Sequence, residues 1–139
     1  MAIVIDASIV GTWVYSDESN GIADAAVEVL HDDMGLVPGL FWFEVRNLLL
    51  VGERRKRIST EATMAFLGRL DQLPLVIDAD CDSARVMDLA RRCGLTVYDA
   101  AYLEVAERHG VRLATLDRTL VAAALATGVG LLGNGESAP

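Results

Sequence analysis

LTVYDAAYLEVAERHGVRLATLD, residues 95–117, reads as a helix over about 99–109, a stop at Gly110, a strand at 111–115 and an aspartate beyond it. Ala101, Tyr102, Val105 and Ala106 fall on one side of that helix, with Glu104, Glu107 and Arg108 on the other, as the 3.6-residue period requires. A helix that runs through a glycine into a short apolar strand is half of a βαβ unit. Two aspartates bracket it. Asp99 stands at the front of the helix and Asp117 just past the strand; each either caps local structure or is aimed at a common point.

The alternation extends outward in both directions. AIVI (2–5) is a β-branched run without polar alternation, the pattern of a strand buried on both faces. A helix is expected over about 20–33, ending near Gly35. LVPG (36–39) follows without an assigned element, then a strongly apolar helix over about 39–54. Ser59 or Thr60 begins another helix, to about 72, and LPLVID (73–78) reads as a strand. Helices at 82–93 and 118–127 end at Gly94 and Gly128, and VGLLG (129–133) reads as a last short strand. Short buried strands alternating with helices predict an α/β fold, a three-layer sandwich around a central parallel sheet. With 139 residues and 53% hydrophobic content, the chain is expected to form a single domain over 1–139.

The formal net charge of -8 argues against a general polyanion binder, because phosphate attraction needs cations. A local basic patch or a bound metal reverses the field at one site, so nucleic acid stays open. The only dense cationic run is ERRKR at 53–57, with Arg46 upstream; it reads either as a solvated helix end or as a phosphate-facing cluster. Cys81 and Cys93 lack zinc-site spacing and are too few for a disulfide framework, and His31 and His109 stand alone. MAIVID has no signal-peptide character, and the longest apolar run, TLVAAALATGVGLLG, is short and broken by glycine. No membrane span is expected, and the cytoplasm is the expected compartment.

Asp6 directly follows the first strand, and sites in open parallel sheets form beyond the carboxyl ends of the strands. The alternative is that Asp6 or Ser8 caps a short following helix. Glu44 is harder to assign to local structure. Leu40, Phe41, Leu48 and Val51 share its side of the helix, while Arg46 lies almost opposite. A carboxylate in an apolar stripe has to be paired, protonated or bound to a cation. Otherwise Glu44 faces a wet edge. Asp117 follows a strand parallel to the first, so Asp6 and Asp117 are expected at one edge of the sheet. Crowded carboxylates repel, and a cation relieves them. Oxygen donors without clustered His or Cys select hard ions, Mg²⁺ or Mn²⁺, whose chemistry suits phosphodiester hydrolysis. Trp42, Phe43, Leu49 and Leu50 lie off the Glu44 stripe, so the same helix is apolar nearly all round and predicts a symmetric dimer to cover its second side.

VIDASI (4–9), PGLFWFEVRNLL (38–49), LTVYDAAYLEVA (95–106) and LATLDRTL (113–120) together resemble the PIN-domain ribonucleases, above all the VapC-type toxins of toxin–antitoxin pairs. The resemblance spans essentially the whole chain, in order. It implies a Mg²⁺- or Mn²⁺-dependent endoribonuclease with Asp6, Glu44 and Asp99 as the central acids and Asp117 as a more variable fourth. It places Ser8, Asn47 and Thr115 as supporting polar residues beside them. It also implies an RNA substrate, a homodimer, and a cognate antitoxin that blocks the acidic groove, often with an arginine. The acidity of the chain departs from what an RNA binder suggests, since Lys56 is the only lysine; Arg46, Arg54, Arg55, Lys56 and Arg57 are the candidate RNA contacts.

Three other readings compete. A phosphoacceptor domain normally needs paired acids after the first strand and a lysine near the last, and IDAS with a single lysine supplies neither. A haloacid-dehalogenase-like phosphatase wants an aspartate where Ser8 stands. The other alternative is non-enzymatic, an acidic groove that only receives a basic partner.

Overall fold

A computed structural model describes residues 1–15 and 20–133. The elements run β1 (Ile3–Ile5), α1 (Ala7–Val14), α2 (Gly21–Asp32), β2 (Gly35–Pro38), α3 (Leu40–Arg54), α4 (Thr60–Leu70), β3 (Leu75–Asp78), α5 (Ser83–Cys93), α6 (Val97–His109), β4 (Arg112–Ala114) and α7 (Arg118–Thr127). The four strands form one parallel sheet in the order β3-β2-β1-β4. This is the expected α/β sandwich.

β1 is central because its Ile-Val-Ile run buries both faces, and all three residues are 0% exposed. Its register sets Ile3 against Gly35 on one side and Arg112 on the other, and Ile5 against Ala114. β1 to β2 to β3 steps one way across the sheet, and β3 to β4 returns past both. Parallel crossovers are right-handed, so the returning connection carries α5 and α6 to the opposite face from α2. α2 packs on β1 and β4, and α6 packs on β1, β2 and β4. The reversal of direction lies between β1 and β4, the position where open α/β sheets leave a crevice at the strand ends.

Several boundaries differ from the sequence reading, each for a local reason. GLVP forms β2, although a four-residue run with Gly and Pro reads as a turn. Gly35 leaves room for the Leu75 side chain: a Cβ there would meet Leu75 Cδ2 at 2.6 Å. α6 begins at Val97, two residues before the expected start at 99, because Thr96 supplies its cap. VGLLG contributes only one parallel bridge, Leu113 to Leu131, in place of a full strand. The helix stops at Gly94, Gly110 and Gly128 stand as expected, all three in the left-handed region.

α3 turns Phe41, Val45, Leu49 and Gly52 into the core. Leu49 is therefore a core residue, 1% exposed, and not part of the outer apolar surface expected of it. The inward stripe centres on Val45, one residue round from Glu44. Trp42, Phe43 and Leu50 do remain exposed. α6 is buried on nearly every side, from Ala100 through Ala106, because α5 covers the side away from the sheet. Glu104 sits within this layer at 1% exposure, paired with Arg108 at 2.8 Å. Arg108 also reaches Asp78 at the end of β3, and His109 contacts the same carboxylate.

Candidate active site

Asp6 occupies the cap position of α1, but its carboxylate makes no capping hydrogen bond. It is held from the side instead. Ser8 Oγ and Thr115 Oγ1 each donate to Asp6 Oδ2 at 2.7 Å. Ser8 Oγ also accepts the Leu116 amide at 2.9 Å, and Thr115 Oγ1 accepts the Asp117 amide at 3.1 Å. The Asp6 amide donates to Ala114 O at 3.1 Å. The turns after β1 and β4 are thus stitched together around one buried carboxylate, with Asp6 6% and Thr115 2% exposed. Ser8 and Thr115, both read from the sequence as supporting hydroxyls, lie in direct contact with Asp6.

Glu44 comes from the second turn of α3 and is half-buried. The Tyr102 hydroxyl on α6 donates to its Oε1 at 2.6 Å. Desolvation raises the Glu44 pKa above the ordinary carboxylate value; the Tyr102 hydrogen bond opposes this, and the charges of Asp6 and Asp99 add to it. Asp99 is raised too, first by burial and then by the charges of Asp117 and Asp6. Glu44 thus feels Asp6 and Asp99, and Asp99 feels Asp6 and Asp117. The Tyr102 phenol is driven far above its usual pKa by burial and by Glu44, so it stays a neutral donor.

Capping divides the two aspartates of the opening stretch. Asp117 does cap α7, its Oδ1 accepting the Thr119 and Leu120 amides at 2.8 and 3.2 Å. Asp99 does not cap α6; Thr96 Oγ1 accepts the Asp99 amide at 3.1 Å and fills that role. Among the described residues, the hydrogen bonds donated to Asp6, Glu44 and Asp117 each fall on a single carboxylate oxygen, Oδ2, Oε1 and Oδ1. The second oxygen of each is left for another cation or donor.

As the side chains lie, no three His, Cys, Asp or Glu residues among those described are grouped closely enough to hold a metal ion. The donor set still suits a hard divalent ion, being all carboxylate, partly buried and mutually repelling. Asn47 lies on the exposed side of α3, one turn beyond Glu44. Arg46 does not pair with Glu44; its guanidinium stacks 3.8 Å from the Trp42 ring centre and donates to Trp42 O. Arg54, Arg55, Lys56 and Arg57 are exposed at the end of α3. Arg57 covers the Tyr15 ring at 4.2 Å. With Ser8, Gly11, Thr12, Asn20 and Leu116, these two line a hollow of about 340 Å³ leading from the Asp6 turn to the cationic cluster.

Tyr102 is the functional candidate that the sequence reading placed only in the core. Its hydroxyl distinguishes it from a plain apolar residue, but the partner is 58 positions away. Thr96 was missed as the cap despite the T-x-x-D spacing of Thr96 and Asp99, which signals a helix start.

Residues 3–125 match the PIN domain family. Ribonuclease VapC3 of Pyrobaculum aerophilum is 32% identical over 123 residues, covering 86% of this chain and 92% of the relative. The crystal structure of PAE2754, also from Pyrobaculum aerophilum, superposes with a TM-score of 0.70 at 27% identity, over 88% of this chain and 84% of that one. Mycobacterium tuberculosis VapC20, described as a sarcin-ricin-loop-cleaving toxin, shares the fold with a TM-score of 0.59 at 13% identity, over 87% and 94% of the two chains. Joined to the parallel sheet and the acids gathered at its carboxyl edge, these likenesses place the chain in the PIN-domain family, among its VapC-type members.

Proposed function

We propose that this single-domain chain is a metal-dependent endoribonuclease and the toxin of a toxin–antitoxin pair, the role its VapC-type relatives support. The observation that supports the metal-dependent part is the grouping of Asp6, Glu44, Asp99 and Asp117, with one Asp6 oxygen held by Ser8 and Thr115, one Glu44 oxygen held by Tyr102, and burial raising Glu44 and Asp99. These four residues would hold Mg²⁺ or Mn²⁺. Such an ion supplies charge neutralisation at phosphorus and a water acidic enough to attack near neutral pH. Ser8 and Thr115 hold Asp6 in one orientation, and Asp117 is fixed by the amides it caps. Asn47, one turn beyond Glu44 on α3, is a further candidate to support the acids.

The RNA strand runs through the hollow beside Ser8 and Leu116 toward Arg57, with Arg54, Arg55, Lys56 and Arg46 as further phosphate contacts. A cognate antitoxin is the natural protein partner, an arginine from it neutralising the acids. Exposed Trp42, Phe43 and Leu50 on α3, with Met64 on α4, offer the apolar patch of a homodimer. No described helix is long and apolar enough to cross a membrane, and we place the protein in the cytoplasm.

The deciding experiment is RNA cleavage with end analysis. Cleavage should require Mg²⁺ or Mn²⁺, stop with EDTA, and leave 3′-hydroxyl and 5′-phosphate ends, because water and not the 2′-hydroxyl is the nucleophile. Ends carrying a 2′,3′-cyclic phosphate, or full activity in EDTA, would overturn the reading.

A further inference from the structure

We propose that Tyr102 is a positioning residue, fixing one oxygen of Glu44 so that the other is presented to the cation. The proposal rests on the metal-dependent reading above. Tyr102 is 0% exposed within the core, on a helix that packs against the sheet, so burial restricts where its hydroxyl can go. Glu44 reaches the site from a different helix on a side chain with three torsions, which without a tether samples several rotamers. The 2.6 Å hydrogen bond to Oε1 removes that freedom. Asp6 is treated the same way from the other side of the site, two hydroxyls converging on its Oδ2. Tyr102 does for the long acid what Ser8 and Thr115 do for the short one.

The alternative is that Tyr102 merely finds an acceptor for a buried hydroxyl. Calorimetric Mn²⁺ titration of the full chain separates the two. Removal of such an outer partner typically weakens metal binding about 10–100-fold, and Tyr102→Phe should show a loss of that size. The same substitution in a Glu44→Gln background should add no further loss, because Tyr102 acts through Glu44. Equal Mn²⁺ affinity in wild type and Tyr102→Phe, or an equal loss in both backgrounds, overturns the proposal and leaves the metal reading standing. A wild type that does not bind Mn²⁺ overturns both.

A second measurement covers a Tyr102→Phe protein that does not fold. The chain has three tyrosines, so wild type carrying 3-fluorotyrosine gives three fluorine resonances, assigned with Tyr15→Phe and Tyr98→Phe. Mg²⁺ should move the Tyr102 resonance more than that of Tyr15. A Tyr102 line that does not respond overturns the proposal.

Discussion

Thr96 and Asp99 divide two tasks that one residue at a helix start often combines. Thr96 Oγ1 accepts the Asp99 amide, and the Asp99 carboxylate is turned over to the field of Asp6 and Asp117. The two substitutions have different expected outcomes. Asp99→Asn should abolish cleavage, yet leave the metal-free protein equally stable or more stable by about 1 kcal/mol, since one of several coupled charges is gone. Thr96→Ala should lose about 1 kcal/mol and keep activity per folded molecule. Melts in EDTA and in excess Mn²⁺ check both, with Mn²⁺ raising the wild-type Tm more than that of Asp99→Asn.

Asp117 combines what Asp99 separates. Asp117→Asn retains an oxygen for the Thr119 and Leu120 amides and should change stability little, while weakening Mn²⁺ binding. Asp117→Ala loses the cap as well and should cost about 1 kcal/mol. Equal Mn²⁺ affinity in wild type and Asp117→Asn would confine this residue to capping.

The site also gives the metal-free protein a pH dependence of definite sign. Glu44 and Asp99 hold protons more tightly folded than unfolded. Their contribution to stability is therefore greatest below the unfolded carboxylate pKa of about 4 and is lost as pH rises through the raised folded values. Melting in EDTA should give a higher Tm at pH 5 than at pH 7, with the gain reduced in Asp99→Asn. Excess Mn²⁺ should cancel the effect, because the metal competes with protons for the same oxygens.

The back of α6 behaves in the opposite way. Arg108 bonds Glu104 and Asp78 at once, and its guanidinium is the largest influence holding the Asp78 carboxyl well below its ordinary range. A depressed acid stabilises above its unfolded pKa and loses that contribution as pH falls below about 4. Arg108→Met should strand buried Glu104 and cost about 3 kcal/mol, as removal of one partner of a buried pair does. Urea denaturation at pH 7 measures the loss, which should shrink near pH 3.

For assembly, Phe43 is the sharpest probe, 70% exposed and edge-on to Trp42 with ring centres 5.0 Å apart. Light scattering should show a dimer for the wild type at micromolar concentration and a monomer for Phe43→Asp, with both folded. A monomeric wild type would remove the case for a homodimer.

The sequence announced the acids better than their supports. Asp6 and Asp117 were legible because they follow apolar strands that must be parallel, and Glu44 because a charge among Leu40, Phe41 and Leu48 is costly. Ser8 and Thr115 came with the family motifs, and their convergence on one oxygen needed the β1–β4 register. Tyr102 looked like any core aromatic, since nothing local ties position 102 to position 44. β2 was hidden by its own Gly and Pro, whose roles depend on Leu75 and on the strand's place in the sheet. The exposed sides of Val76 and Ile77 were likewise unreadable, because an edge strand is defined by a neighbour it lacks.

The stitch between the first and last strands bears on how such a protein is made. Thr115 reaches back 109 positions to Asp6, and β1 gains its second neighbour only when Arg112–Ala114 has been synthesised. A chain leaving the ribosome exposes Asp6 and Glu44 well before β4 has emerged, and long-range strand pairing closes late. Until then the first acid lacks Thr115, and Asp117 has not been added. For a protein proposed to cut RNA, this topology acts as a timer: the ribosome that builds it carries an unfinished cutter until nearly the last element has emerged.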